Sequence, residues 1–121
     1  MEKTKEVAGV LVPEDLDING FESGGHYEPK NDFQVNRINA ARKVIAQSYV
    51  KMKTIQKDNS SYGLKHDMEK VIGEYMTNGE FIVAMIGEGF VFKRDRINCY
   101  FNVTATSVKQ LRKTNEQLQN S

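Results

Sequence analysis

The stretch TNGEFIVAMIGEG (77–89) constrains the fold more than any other part of this chain. Thr77 and Glu80 stand three apart, the spacing of a capping box in which each side chain satisfies the other's free backbone N–H. Phe81 to Ile86 then run apolar without a break, and Gly87 and Gly89 supply the left-handed turn that closes a helix. A helix that is apolar on nearly every side leaves no face for water, so it belongs inside the molecule. A helix that reads DNA would instead present Arg, Lys, Asn or Gln to bases and phosphates. The exposed candidates here are Asn78, Glu80 and Glu88, and two of those three repel phosphate. Residues 78–88 therefore predict a central packing helix.

The rest of the chain must wrap it. At 121 residues the sequence suits one domain, large enough to bury a core without metals or disulfides. From Phe33 to Gln56 the pattern is helical, with Asn31 or Asp32 as cap and Ile38, Ala41, Ile45, Tyr49, Met52 and Ile55 on one face. Ser60 or Ser61 starts a second helix to about Glu74, with Leu64, Met68 and Ile72 inward. After the apolar helix, GFVFKRDRINCYFNV reads as a β-hairpin around the polar turn Lys93–Arg96. Period-two alternation turns Ile97, Cys99, Phe101 and Val103 to the core and Asn98, Tyr100 and Asn102 to the other side. Thr104, Thr106 or Ser107 caps a last helix, with Val108, Leu111 and Leu118 on its narrow apolar face. The expected class is mainly α with a β-hairpin (α+β), three helices, hairpin and C-terminal helix in a winged-helix-like arrangement.

Residues 1–32 look different. They hold both prolines, Asn19-Gly20, Gly24-Gly25 and no sustained period of 2 or 3.6. Up to residue 34 there are eight acidic side chains against three lysines, whereas residues 35–121 hold fourteen Lys or Arg against eight acids. The expected organisation is an acidic extended arm over 1–32, in which VAGVLVP alone is β-prone, and a single helical domain with a β-hairpin over 33–121. Such an asymmetry marks either a basic module for nucleic acid or an arm that orders on a partner. A solvated basic surface beside a polar leader explains it equally.

Catalytic chemistry is thin. His26 lies in the leader, His66 on a helix and Cys99 on an inward strand position, with no spacing that joins nucleophile, base and orienting group. His66, Asp67 and Glu69 do not converge on one helix face, and the helical zinc pattern of two His at i and i+4 is missing. The glycines at 20, 24 and 25 lack the helix and Lys-Ser/Thr of a phosphate loop. The reading is of a protein that is not an enzyme, with no cofactor and no metal. Without an apolar run of about 18 residues or a secretory signal, the expected location is the cytoplasm, with no membrane partner.

Binding chemistry is better supplied. Arg42, Lys43, Lys53 and Lys57 gather on one flank of the first helix, and Lys93, Arg94 and Arg96 sit at the hairpin tip with Tyr100 nearby as a stacking residue. Clustered Lys and Arg supply the sequence-independent part of nucleic-acid affinity, although a solvated face needs no ligand.

The segments SSYGLKH (60–66), Tyr75, TNGEFIVAMI (77–86) and Gly89-Phe90 resemble a pattern in small, mostly uncharacterised proteins of phages and mobile elements. The resemblance covers about residues 60–103. It implies a phage or mobile-element origin and transfers no catalytic residue. The expected function is a small accessory protein that contacts nucleic acid or a nucleoprotein complex in the host cell, with homo-oligomers open. The alternative is a protein-protein interaction role, as inhibitor of a host complex or minor assembly component, using the N-terminal arm as a partner-binding strand.

Overall fold

The computed structural model describes residues 3–22 and 32–119. Four helices and two small antiparallel hairpins give an α+β fold of mainly helical character, as the sequence predicts. At its centre is α3 (Asn78–Gly87), in which Phe81, Ile82, Val83, Ala84 and Met85 are all fully buried. Both halves of the predicted capping box are present. The Glu80 N–H donates to Thr77 Oγ1 at 3.1 Å, and the Thr77 N–H donates to Glu80 Oε1 at 2.9 Å. Gly87 is still helical, and Gly89, at φ +84°, makes the left-handed turn after it.

The helix is wrapped by α1 (Val35–Ser48), α2 (Ser61–Ile72) and the second strand of an N-terminal hairpin. Ser60 caps α2 by accepting from the Gly63 N–H, and Gly73, at φ +75°, ends it. The start of α1 has no cap of its own. The N–H of Gln34, its N-cap residue, instead donates to Glu80 Oε2 at 2.6 Å, so one buried carboxylate closes the first turns of two helices. This corrects the expectation that Asn78 and Glu80 face solvent, since both are buried. The predicted cap at Asp32 is not used, and Asn31 lies outside the described residues.

The N-terminal segment is the largest departure from the sequence reading. Over its described part, residues 3–22, the expected extended arm is folded into the core. Thr4–Val7 (β1) pairs antiparallel with Val10–Pro13 (β2) through Ala8-Gly9, both at positive φ, a two-residue turn whose twist suits a hairpin. Val12, Leu16 and Phe21 are fully buried, and Val10 and Ile18 nearly so. Burying each such side chain contributes about 1.5–3 kcal/mol, enough to hold an otherwise acidic stretch. Its acids Glu6, Glu14 and Asp15 occupy outward positions.

The chain expected to prolong α1 to Gln56 leaves the helix at Tyr49. Residues 50–56 form a strap along the second hairpin, Phe92–Asp95 (β3) and Asn98–Phe101 (β4). Lys51 bridges Val103, the Met52 N–H donates to the Asn102 carbonyl and the Gln56 N–H to the Phe101 carbonyl. Two strands alone would leave the outer edge of β4 with unpaired backbone groups; the strap takes the Phe101 carbonyl and the residues that follow it, and Ser61 Oγ takes the Cys99 N–H. That tertiary demand outweighs the helical period of Met52 and Ile55. Asn102 seals the junction: its Oδ1 accepts from the Val91 N–H and its Nδ2 donates to the Met52 carbonyl.

The turn between β3 and β4 is Arg96-Ile97, starting three residues after the predicted Lys93, with Arg96 at φ +58°. Cys99, Phe101 and Val103 are buried as predicted, whereas Ile97, in the turn, is exposed. The last helix, α4 (Ala105–Gln119), is capped by Thr104, whose Oγ1 accepts from the Ser107 N–H. It packs on α2 through Val108 and Leu111, and Arg112 bonds Asp67 and Asn59. The side chain of Leu118 lies outside the described part.

Candidate nucleic-acid interface

Strand periodicity divides the predicted basic residues. In the register Phe92↔Phe101, Lys93↔Tyr100, Arg94↔Cys99, Asp95↔Asn98, alternate pairs take opposite faces. The inner face carries Phe92, Arg94, Cys99 and Phe101. Arg94 forms two bonds to the Asp15 carboxylate, at 2.7 and 2.8 Å, and its guanidinium lies 4.2 Å from the centre of the Phe21 ring. It is therefore a tie between the two hairpins and not a tip residue. Arg42 is likewise engaged, with Glu88 at 2.7 Å and the Gly87 carbonyl at 3.1 Å. Both arginines are thus committed to carboxylates of the chain itself.

The other predicted residues regroup. Because the strap is not helix, Lys53 and Lys57 leave the flank of α1, correcting the expected helical edge, and run beside β4. Lys93 stands opposite half-buried Tyr100 on the outer face, and Arg96 is in the turn. Lys53, Lys57, Lys93 and Arg96 are all exposed on this ribbon of strap, β4 and β3. Lys43 is exposed on α1, which packs mainly on α2, α3 and α4, and stays apart. The expected polar strip is shorter than predicted, because Asn102 is buried in the junction.

Beyond the hairpin turn the surface opens into a recess of about 520 Å³ between α2, the 75–78 loop, the N-terminal turn and Ile97-Asn98. Its rim includes Tyr62 and Tyr75, 53% and 60% exposed. Between them lies Lys65, whose side chain is only 6% exposed. Its Nζ is 5.2 Å from the centre of each tyrosine ring and 3.1 Å from Glu69 Oε1. Burying a lysine charge is costly unless it is paired, and here one carboxylate and two π faces compensate it. Glu69 also accepts from the Met76 N–H and meets His66 Nδ1 at 3.0 Å, while the His66 ring stands edge-on to Tyr62. The Arg37 guanidinium also lies 5.6 Å from the centre of the Tyr75 ring and bonds Glu74 and Glu80.

In the recess Asn78 Nδ2 donates to Asn98 Oδ1 at 2.9 Å and to the Asn19 carbonyl at 3.1 Å. This fixes the Asn98 amide with its oxygen engaged and its two N–H donors uncommitted within the described chain. Sequence reasoning missed this site. Its available signal was that Tyr62 and Lys65 fall off the Leu64–Met68–Ile72 stripe of α2, leaving an aromatic and a cation without a packing role.

The Cys99 thiol is buried, its N–H held by Ser61 Oγ, and burial pushes its pKa up to about 12. His26 lies outside the described residues. Among the described residues no group of three His, Cys, Asp or Glu is placed to hold a metal, and no helix is long and apolar enough to cross a membrane. No family model, curated protein or solved structure matches the chain.

Proposed function

We propose that this protein is a small non-enzymatic accessory protein of a phage or mobile element that contacts nucleic acid, alone or in a nucleoprotein complex, through the outer face of the strap–β4–β3 ribbon. The observation that supports this reading is the regrouping of Lys53, Lys57, Lys93 and Arg96 beside Tyr100 on one exposed ribbon, none of the four tied into the core. A backbone-tracking cationic surface with an aromatic residue is the chemistry that nucleic acid asks for. Exposed Asp95 and Asp58 lie close in sequence to these cations, so affinity from charge alone is modest and falls steeply with salt. The N-terminal segment supports the rival partner-arm role less well, since its described part is packed into the chain's own core through Val12, Leu16 and Phe21.

The test is fluorescence anisotropy with a labelled oligonucleotide across a salt series. Four phosphate contacts give a slope of log K against log salt of about −3 on a single strand. Replacing Lys57 and Lys93 together by Gln should roughly halve it. A flat salt response, or unchanged binding by that double variant, refutes the ribbon as the contact surface.

A further inference from the structure

Three of the seven exposed large hydrophobic side chains among the described residues, Tyr62, Tyr75 and Ile97, converge on the single recess beside the ribbon. Scattered singly, exposed apolar residues need no explanation, but here they line a concavity of about 520 Å³, within the range of small-ligand sites. Lys65 makes it a built site. The nearly buried ammonium sits 5.2 Å from both ring centres and is anchored by Glu69, so it holds the two tyrosines in place before anything binds. Rings already held lose less entropy on contact.

We infer that this recess receives an unpaired base of a single-stranded nucleic acid whose phosphates follow the ribbon, the base stacking on Tyr62 or Tyr75 and meeting the amide donors of Asn98. The inference rests on the ribbon reading. Continuity supports this occupant over others: Asn98 pairs with Asp95 at the end of the ribbon hairpin and Ile97 neighbours Arg96, so the recess opens where the cationic track ends. Aromatic faces stack on any base and a side-chain amide donor suits the carbonyl or ring-nitrogen acceptors of base edges. A duplex keeps its bases stacked and paired and cannot offer one to a concave site, so single strands are selected by shape. Lys65 is already neutralised by Glu69, which leaves the recess suited to the uncharged base and the ribbon to the phosphates.

The experiment measures anisotropy of a labelled 20-nucleotide single strand and of the same sequence as a duplex, at low salt, on the wild-type chain, on Tyr62→Ala/Tyr75→Ala and on Lys57→Gln/Lys93→Gln. Both tyrosines are more than half exposed and Lys65 keeps Glu69 when they are removed, so the first variant should stay folded with at most a small drop in melting temperature, checked by circular dichroism. The expected result is preference for the single strand, a loss of roughly five- to hundredfold on it in the tyrosine variant, and no change on the duplex. Asn98→Ala should lose less and should flatten differences among homopolymer strands. Equal binding of single strand and duplex with the tyrosine variant unaffected overturns the recess while leaving the ribbon in place, provided the lysine variant still loses affinity. Binding of neither probe overturns both.

Discussion

The two faces of the β3–β4 hairpin are built from neighbouring residues of the same eight, yet they are used oppositely. On the inner face Arg94 is clamped by Asp15 over Phe21, Phe92 stacks on Phe21 at 5.5 Å, Phe101 meets Phe81 edge-on and Cys99 hangs from Ser61. On the outer face Lys93 is exposed, Tyr100 half-buried and the Asn98 amide keeps its donors. A cation and an aromatic ring do not by themselves separate the faces, since each carries both. What separates them is whether the chain supplies partners. A site for something else is where polar and aromatic groups have been positioned but not consumed.

The inner face depends most on how closely the N-terminal turn docks against the hairpin turn. The Phe21 N–H donates to the Ile97 carbonyl at 2.9 Å, and Gly20 passes so near that a Cβ would strike that carbonyl. Its φ of +122° is also one that side chains resist. Gly20→Ala should therefore cost more than about 3 kcal/mol, beyond ordinary overpacking, because backbone and not a flexible side chain must move. Urea unfolding measures it. A cost under 1 kcal/mol would show that the turn is loosely held and would erase the contrast between the faces.

This docking also explains what the sequence disclosed and what it hid. The α3 capping box and the Leu64–Met68 stripe were legible because each is a local pattern with one period. The core role of residues 10–21 was not, because Val10, Val12, Leu16, Ile18 and Phe21 lie on a chain that turns twice, so no period survives. The strap hid for another reason. Met52 and Ile55 fit the helix, and only the bare edge of β4, far along the sequence, decides otherwise. The basic surface was half legible: residue types were visible, but that Lys93 and Arg94 are paired strand residues on opposite faces, and not both part of the turn, depends on where the turn falls.

Cys99 offers a probe of the inner face through pH. Its thiol, ordinarily near 9, is raised to about 12 by burial, and burial with neighbouring Asp67 raises Tyr49 above its ordinary 10. Above pH 9 the unfolded chain therefore ionises its thiol while the folded chain does not. The unfolded state then binds fewer protons, so stability falls with rising pH, by about 1.4 kcal/mol per unit for this group. From pH 9 to 10.5 the loss should be about 2 kcal/mol in urea titrations. In Cys99→Ala the decline should begin nearer pH 10, where Tyr49 alone remains. An unchanged onset would mean that Cys99 meets solvent and the inner face is open.

The smallest effect gives the sharpest comparison, since it sets two adjacent cations against each other. Arg94 and Lys93 share a strand, yet only Arg94 has a bidentate carboxylate and a ring beneath it. With side-chain exposures of 30% for Arg94 and 47% for Asp15, water and salt screen the pair, so a double-mutant cycle between Arg94→Ala and Asp15→Ala should give a coupling of only about 0.5–1 kcal/mol. Arg94→Ala alone should cost somewhat more, because it also uncovers Phe21. Lys93→Ala has no chain partner to lose and should stay within about 0.5 kcal/mol of wild type, while weakening oligonucleotide binding; Arg94→Ala should do the reverse. If Lys93→Ala destabilised the fold as much as Arg94→Ala, the outer face would be part of the scaffold, and its cations could not be counted as available to a ligand.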